Sequence, residues 1–279
     1  MKTYLDCIPC FFRQALSASR EADADEILQK RVLDEISREI PKISYSLSPA
    51  YMSRIVYRAI RKITGVVDPF KKEKVKSNKL ALKLYPQLKE RIRRAKEPLE
   101  EATKLAILGN TIDFGIGDSF NLEKELNSEG NFLIFDYEEF KKFLKKNTKI
   151  LYIADNCGET VFDRLLIEEM GKGVIYAVRS APIINDATIE DAKFCGIDKI
   201  AKLIPSGSPI SGTPLELCSQ EFLSFFNQSS FIISKGQGNF ETLSEANRPI
   251  FFLLKAKCSI VARELNCKIG DMILKYNHR

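Results

Sequence analysis

The sequence has no apolar run of the ~18 residues that a membrane-spanning helix needs, and its first residues lack the apolar core of a signal peptide. Its seven cysteines, an odd number scattered over 279 residues, do not indicate a disulfide scaffold. These absences predict a cytoplasmic protein with no membrane partner. The hydrophobic share of 44% is ample for a core, in one large domain or two small ones.

Histidine is also scarce, because His278 is the only one in the chain. Cys7 and Cys10 have the spacing of a metal-binding or redox pair, but neither a second such pair nor two histidines accompany them. The other cysteines are isolated, and isolated free cysteines are often simply buried. The sequence therefore leaves open whether Cys7 and Cys10 have a function.

The first hundred residues contain few glycines and prolines and no strand-like alternation, which predicts a bundle or cap of helices. The segments 7–20 and 25–40 are predicted helices. A third helix is predicted between Pro49 and Gly65, and a fourth contains Pro86, which predicts a kink or a restart. Two apolar stripes have helical spacing: Met52, Ile55, Val56, Ala59, Ile60 and Ile63, and Ala81, Leu84, Tyr85, Leu88 and Ile92.

The net charge of +6 is unevenly distributed. Residues 1–108 hold 23 Lys and Arg against 14 Asp and Glu, whereas the remainder holds 20 against 23. The basic run from Arg54 to Lys96 could bind nucleic acid. However, its charges lie opposite the apolar stripes, where solvated helix faces carry them, and it lacks interleaved exposed aromatic residues. We therefore do not favour a nucleic-acid partner.

From residue 131 the pattern changes to short apolar runs separated by helical stretches. This alternation predicts a parallel sheet whose strands are joined by right-handed crossovers. An apolar helix ends at Gly109-Asn110 before this region, and residues 115–130 are predicted to be a mobile connector. The predicted strands are 132–135, 150–154, 174–178, 200–204, 231–234 and 250–254.

Polar residues follow the predicted strand 150–154 and precede a helix. Asp155 and Asn156 are therefore expected at the carboxyl end of a strand, where open α/β sheets bind ligands. Their oxygen atoms suit Mg²⁺ or Mn²⁺. Gly158 would let the backbone approach a ligand, and the helix start behind it favours anions. A helix-capping Asp-Asn turn explains the same residues equally well.

A second carboxylate, Asp186, precedes the helix that the capping-box pair Thr188 and Asp191 predicts. In a parallel sheet it would lie on the same edge as Asp155, and the two carboxylates would repel each other unless a cation lay between them. A metal ion explains both carboxylates economically, although Asn185-Asp186 could also be a turn. On this argument, removal of Asp186 should leave the metal-free protein equally or slightly more stable.

Lysines follow the last two predicted strands. Lys235 and Gly236 open a helix and could form a phosphate cradle, although the GK[ST] sequence of a P-loop is missing. Lys255 and Lys257 would share a strand face if the strand continued, so one or both ammonium groups could reach the site. Two solvent-exposed lysines are an equal alternative.

Together these motifs resemble those of the damage-control metallophosphatases, a family long known only as a domain of unknown function. The resemblance covers nearly the whole chain, and the N-terminal cysteine pair is similar to that of short, stand-alone archaeal members. The matching motifs, in the family's order, are Cys7-x-x-Cys10, Gly109-Asn110-x-Ile112-Asp113, Asp155-Asn156-x-Gly158-Glu159, Asn185-Asp186-Ala187-Thr188-x-x-Asp191, Lys235-Gly236-Gln237-x-Asn239-Phe240-Glu241 and Lys257-Cys258.

The resemblance implies a fold and a reaction. The implied fold is α/β: a Rossmann-like α/β/α parallel-sheet domain at 115–279, preceded by an all-helical N-terminal region at 1–114. The implied reaction is the hydrolysis of small phosphate monoesters, such as sugar phosphates or damaged phosphometabolites. It would depend on a divalent metal ion, namely Mn²⁺, Mg²⁺, Co²⁺ or Ni²⁺.

The resemblance also implies roles for single residues. Asp155, Asn156 and Asp186 resemble the metal ligands and, with Lys235, form the expected catalytic group. Larger relatives carry Arg-Thr-x-Lys on the last strand; the Arg and Thr are missing here, so Lys255 is the match by position and the substrate class stays open. Cys157 replaces the small residue usual in the family. The residues expected to bind substrate are Asn110, Asp113, Gly158, Glu159, Arg179, Asn185, Gly236, Asn239, Glu241 and Lys255.

Two other functions compete with this interpretation. A Rossmann-type methyltransferase would need a glycine-rich turn after the first strand, where Phe135-Asp136-Tyr137-Glu138 stands instead. A non-enzymatic RNA-binding protein would use the basic helices. Within the phosphatase hypothesis, the lack of an Asp-x-Asp nucleophile motif after a predicted strand favours attack by a metal-activated water over attack by Asp155. The sequence does not predict an oligomeric state.

Overall fold

The computed structural model describes residues 1–110 and 132–277. These residues form a helical N-terminal part and a following α/β part built on a seven-stranded sheet, which confirms the predicted fold class. Asp113, the expected connector at 115–130 and the expected domain boundary after residue 114 lie outside the described residues. None of the helices in the described ranges has both the length and the apolar character that a membrane crossing requires.

The first three helices share a small core, which Ile183 of the α/β part also joins. They are α1 (Cys7–Glu21), α2 (Glu26–Glu39) and α3 (Ala50–Thr64), and a short 3₁₀ turn, Ile40–Lys42, follows α2. Asp25 caps α2 by accepting a hydrogen bond from the Leu28 amide at 2.8 Å. Gly65 ends α3 in a left-handed conformation with φ +75°, which glycine adopts at low cost.

The next two helices, α4 (Lys71–Arg94) and α5 (Pro98–Gly109), pack on the sheet rather than on α1–α3. The expectation of a restart at Pro86 is wrong, because α4 continues through that residue. Proline removes one backbone hydrogen bond, but the buried side chains on both sides of it hold the helix in place. These side chains, Ala81, Leu88 and Ile92, belong to the same core as the sheet.

The central strands of the sheet are parallel, as predicted, but one strand near an edge is antiparallel to its neighbour. The strands are β1 (Ile134–Phe135), β2 (Lys149–Ile153), β3 (Gly173–Val178), β4 (Lys202–Pro205), β5 (Ile232–Lys235), β6 (Ile250–Lys255) and β7 (Met272–Asn277). Their order is β1-β7-β6-β5-β2-β3-β4. The strand β7 was not expected from the sequence; it runs antiparallel to β6, and β1 pairs with it in parallel.

Helices cover both faces of the sheet. Alternate strand residues point to opposite faces, so β2 sends Ile150 and Tyr152 into one core and Leu151 and Ile153 into the other. The first core lies under α4, α5, α6 (Tyr137–Lys146), α7 (Glu159–Met170) and α8 (Ile189–Phe194). The second lies under α9 (Gln220–Gln228), α10 (Gln237–Leu243) and α11 (Ser259–Glu264).

The strand order creates a crevice at the carboxyl ends of β2 and β5. These two strands are neighbours, and the chain leaves β2 through α7 on one face but leaves β5 through α10 on the opposite face. Loops that depart to opposite faces leave a gap between them, and open α/β sheets bind their ligands in such a gap. The fold therefore places the polar residues after β2 and β5 in the expected ligand position.

We expect Phe140→Ala to lower the free energy of unfolding by about 3–5 kcal/mol, because it leaves a cavity in the first core. Phe140 is fully buried, and its ring centroid lies 5.3 Å from that of Phe231 and 5.4 Å from that of Phe251. Phe194→Ala is the matched control, since Phe194 is 51% exposed and its loss should change stability by no more than ~0.5 kcal/mol. Urea unfolding of both variants checks this, and equal losses would contradict the assignment of the core.

Candidate functional site

The crevice brings together the two carboxylates that the sequence singled out. Asp155 lies two residues after the end of β2, and Asp186 lies in the loop after β3, the neighbouring strand. The Ala187 amide donates to the Asp155 carbonyl at 2.8 Å, and Asn156 forms a backbone bridge with Asp186. Both carboxylate side chains are more than nine-tenths buried. The expected neighbourhood of the three candidate metal ligands is therefore present.

A guanidinium group already lies between these carboxylates. Arg179, at the end of β3, is 1% exposed; its Nε donates to Asp186 Oδ2 at 2.7 Å and its Nη2 lies 3.8 Å from Asp155 Oδ1. Its Nη1 and Nη2 donate to Thr213 Oγ1 and Asn239 Oδ1 at 2.9 and 3.0 Å. Three of its five N–H groups are used in these hydrogen bonds, and the expected contact of Arg179 with substrate stays a prediction. Repulsion between Asp155 and Asp186 alone therefore does not require a metal.

Lys235 is likewise occupied by protein partners. It is fully buried at the end of β5, and its ammonium donates to the Ala106 carbonyl, Glu159 and Asp163 at 2.8, 2.5 and 2.6 Å. An ammonium group has three protons, and these three partners account for all of them. The expected contact of Lys235 and Glu159 with a phosphate group is therefore absent from this geometry, since it would require breaking a buried ion pair.

Asp163 is the second carboxylate, beside Glu159, that pairs with Lys235, and the sequence patterns did not predict its role. It receives hydrogen bonds from the Tyr152 and Tyr176 hydroxyls, both at 2.7 Å. Burial raises the pKa of Asp163, although the charge of Lys235 acts to lower it. A signal was available, because Asp163 lies four residues after Glu159 and therefore on the same, largely apolar, face of α7.

Two asparagines hold the carboxylate of Asp155. Asn110 donates from Nδ2 to Asp155 Oδ2 at 3.1 Å and to Glu159 Oε2 at 3.0 Å, and its Oδ1 accepts from the Lys255 amide at 3.3 Å. Asn156 Nδ2 donates to Asp155 Oδ2 at 2.8 Å. Asn110 was expected to bind substrate; in the structure it is buried and links the end of α5 to β2, α7 and β6.

Glycines at two helix starts allow this close packing. Gly236 has φ +76°, and a Cβ atom there would lie 1.8 Å from Asp155 Oδ2, so no other residue fits without displacing the carboxylate. Gly158 has the same φ, and its amide donates to Asn78 Oδ1 of α4 at 2.6 Å. The first amide at the start of α7 is therefore used by the protein rather than left for an anion.

The remaining expected substrate residues fall into different places. Asn185 offers its carbonyl to the Cys157 amide at 2.8 Å, and Asn239 is buried against Arg179. The strand β6 ends at Lys255, so Lys255 and Lys257 do not share a strand face. Lys257 is exposed, and its charge acts on Asp155, as described next. Lys257 is thus a lysine whose charge acts on Asp155, and the expected contact of Lys255 with substrate stays a prediction.

The buried charges at the crevice do not balance. Burial, followed by the charges of Asp186 and Glu159, raises the pKa of Asp155 to about 8, while the charges of Arg179 and Lys257 lower it. Burial also raises the pKa of Asp186. A divalent cation at the crevice would neutralise this excess. The buried charged set at the crevice consists of four carboxylates, Asp155, Glu159, Asp163 and Asp186, and two cations, Arg179 and Lys235.

The cysteine pair gives no second site. Cys7 is buried in the first turn of α1, Cys10 is exposed, and both are free thiols. Within residues 1–110 and 132–277, no group of three or more His, Cys, Asp or Glu side chains has the arrangement of a metal site. A zinc site at Cys7 and Cys10 is therefore not supported. Among the described residues, the candidate ligands at the crevice are the carboxylates of Asp155 and Asp186 and the amide of Asn156.

Much of the basic charge of the N-terminal helices is paired. Lys74 is 4% exposed and contacts Asp68 at 3.2 Å and Asp191 at 3.0 Å. Arg93 and Arg94 both pair with Glu90 on the same helix. These pairs reduce the charge that α4 could offer to a phosphate backbone.

Comparison with known proteins identifies a family. The model of the damage-control phosphatase ARMT1-like domain matches residues 3–273. A damage-control phosphatase of Pyrococcus horikoshii is 40% identical and covers 99% of this chain and 99% of its own length. One from Archaeoglobus fulgidus is 32% identical, over 96% of this chain and 97% of its own. A crystal structure of a DUF89 family protein from Pyrococcus horikoshii has a TM-score of 0.91 at 39% identity, covering 99% of both chains.

We expect Asp186→Ala to lower the free energy of unfolding of the metal-free protein by about 3–5 kcal/mol, because it leaves the buried Arg179 guanidinium without its carboxylate. This reverses the expectation from the sequence alone, which assumed an unpaired Asp186. The double variant Arg179→Met with Asp186→Leu removes both charges and should recover a large part of the loss. Urea unfolding with chelator checks the cycle, and a stable single Ala variant would contradict the ion pair.

We also expect stability to depend on pH through Asp155. Its pKa is 3.8 in ordinary surroundings and about 8 in the folded protein, so between these values the folded state holds a proton that the unfolded state has lost. The contribution of this group is fully present below pH 3.8 and decreases as the pH rises toward 8. Urea unfolding of the metal-free protein at several pH values should therefore show a shallower decline for Asp155→Asn than for the wild type. Equal slopes would count against the raised pKa.

Proposed function

The chain belongs to the damage-control phosphatase ARMT1-like family, and on that premise we propose that it is a divalent-metal-dependent phosphatase of small phosphate monoesters. Family membership establishes the phosphatase role. The metal requirement and the substrate class, phosphorylated small metabolites such as sugar phosphates, are proposed from the chemistry of the crevice.

The observation that supports a metal is the negative excess at the crevice. Four buried carboxylates face two buried cations, and the pKa of Asp155 is raised to about 8 chiefly by burial. Within the described residues, Asn156 Oδ1 accepts no hydrogen bond, and Asp155 Oδ1 has only Arg179 at 3.8 Å. Carboxylate and amide oxygens that accept no hydrogen bond from the protein are the kind of ligand that Mg²⁺ and Mn²⁺ prefer. Asp155, Asn156 and Asp186 would hold the ion.

A bound divalent ion would lower the pKa of a water molecule and neutralise charge that develops on phosphoryl oxygens. The residues of the chain do the rest. Lys257, on the exposed side of Asp155, can hold a phosphate oxygen, because its ammonium is not buried in an ion pair. Asn110 fixes the orientation of Asp155, and Arg179 fixes that of Asp186. The buried ion pair between Lys235 and Glu159 keeps Glu159 from adding a further unpaired charge.

Attack by water is the proposed route. Asp155 Oδ2 receives two hydrogen bonds, from Asn110 and Asn156, which hold the carboxylate in one orientation. Arg179 holds the carboxylate of Asp186, and Asn156 holds that of Asp155, each in a fixed position. This favours a reaction in which the carboxylates position the reactants rather than form bonds with phosphorus.

Release of phosphate from a panel of small phosphate monoesters should require a divalent ion and stop after treatment with EDTA. Mn²⁺ should raise the melting temperature of the wild type by mass action, and that of Asp155→Asn much less. Asp198→Asn, an exposed carboxylate away from the crevice, is the control and should show the full wild-type shift. Undiminished hydrolysis after thorough chelation would refute the metal requirement. Equal Mn²⁺ shifts in all three proteins would refute the site.

A further inference from the structure

A cavity of about 420 Å³ adjoins the crevice on the side of the N-terminal helices. Arg13, Gln14 and Ser17 of α1 line one wall, and Ser211, Gln237 and Glu241 line the opposite wall. Its size lies within the range of small-molecule pockets. The cavity is therefore shared between the helical part and the α/β part of the chain.

Two of the lining residues connect the cavity directly to the candidate metal ligands. Ser211 lies against Asp186: burial raises the pKa of that carboxyl, and a hydrogen bond from the Ser211 side chain is among the effects that lower it. Gln237 follows Gly236, which touches Asp155, and its Oε1 accepts from the Lys257 amide at 3.2 Å. A phosphate ester at the crevice would thus have its remaining atoms next to this cavity.

The cavity wall carries an arginine that the protein does not use. Arg13 is exposed, and among residues 1–110 and 132–277 it has no carboxylate partner and no hydrogen bond. The other arginine of the crevice, Arg179, has every one of its contacts inside the protein. The N–H groups of the Arg13 guanidinium are consequently available to bind a carboxylate or a phosphate.

Phe11, Pro49, Ala50 and Ile184 make much of the remaining lining apolar, and a few polar side chains among them suit hydroxyl groups. Glu241 is 8% exposed and accepts from Gln237 Nε2 at 3.1 Å, and burial raises its pKa to about 7. At neutral pH its carboxyl group is therefore protonated in part of the molecules and can donate to a hydroxyl or accept from one. Gln14, Ser17 and Ser211 add neutral donors and acceptors.

We propose that this cavity binds the leaving group of the phosphate ester, and that the leaving group carries a second anionic group, which Arg13 holds. The proposal rests on the proposed phosphatase function, because it assumes a phosphate at the crevice. It narrows the substrate class to esters that carry two separated negative groups, either a second phosphate or a carboxylate.

The test uses two esters of one carbon chain, glucose 6-phosphate and 6-phosphogluconate, which differ in the carboxylate at the end opposite to the phosphate. With Mn²⁺ present, the wild type should have the higher kcat/KM for 6-phosphogluconate. Arg13→Gln should lower kcat/KM for that ester by about three- to tenfold, mainly through KM, and change glucose 6-phosphate less than about twofold. Arg20→Gln removes the same charge from α1 outside the cavity and should affect neither ester.

A binding measurement accompanies the kinetics. Cys10 lines the cavity and is the exposed thiol among the seven cysteines, so N-ethylmaleimide should modify it first. We expect 6-phosphogluconate to slow this modification in the wild type and not in Arg13→Gln. Equal losses for both esters in Arg13→Gln, or equal Cys10 protection in the two proteins, would overturn the role of Arg13. Failure of the wild type to hydrolyse either ester, or any other phosphate monoester, would overturn the proposed function as well.

Discussion

An excess of buried negative charge at the carboxyl ends of β2 and β5 is the constraint on which the rest of the structure depends. Four carboxylates are removed from water there, and each needs a cation, a proton or a set of hydrogen-bond donors. The fold supplies Lys235 and Arg179 from two strand ends, Asn110 from the end of α5 and two tyrosine hydroxyls from inside the sheet. The negative charge that these groups do not neutralise lies beside Asp155, on the side where Lys257 is exposed.

Much of this arrangement follows from sequence patterns. The short apolar runs predicted six of the strands, and the rule that parallel strands end at one edge of a sheet predicted that Asp155 and Asp186 would meet. The capping box at Thr188 and Asp191 is present as predicted. Such features are local, or follow from a general rule of chain direction, and they do not depend on which particular side chains meet.

Features that depend on distant partners were not predictable in this way. The strand β7 has an ordinary composition, and its place between β6 and β1 is set by pairing rather than by its own residues. The sequence predicted that Arg179 and Lys235 bind a ligand, because their neighbours along the chain do not indicate which carboxylates they contact in the fold. Asp163 sits among apolar residues of α7, and only its contact with Lys235 and two tyrosines explains it.

The separation of these partners along the chain has a consequence for synthesis on the ribosome. Lys235 follows Asp163 by 72 residues, so at roughly 5–20 residues per second the carboxylates of α7 leave the ribosome several seconds before their cation. Until then, burial of charged Glu159 and Asp163 lacks the cation that offsets its cost. The strand β1 likewise lacks its pairing partner until β7 has emerged. All parts of the crevice are therefore present only once most of the chain has been translated.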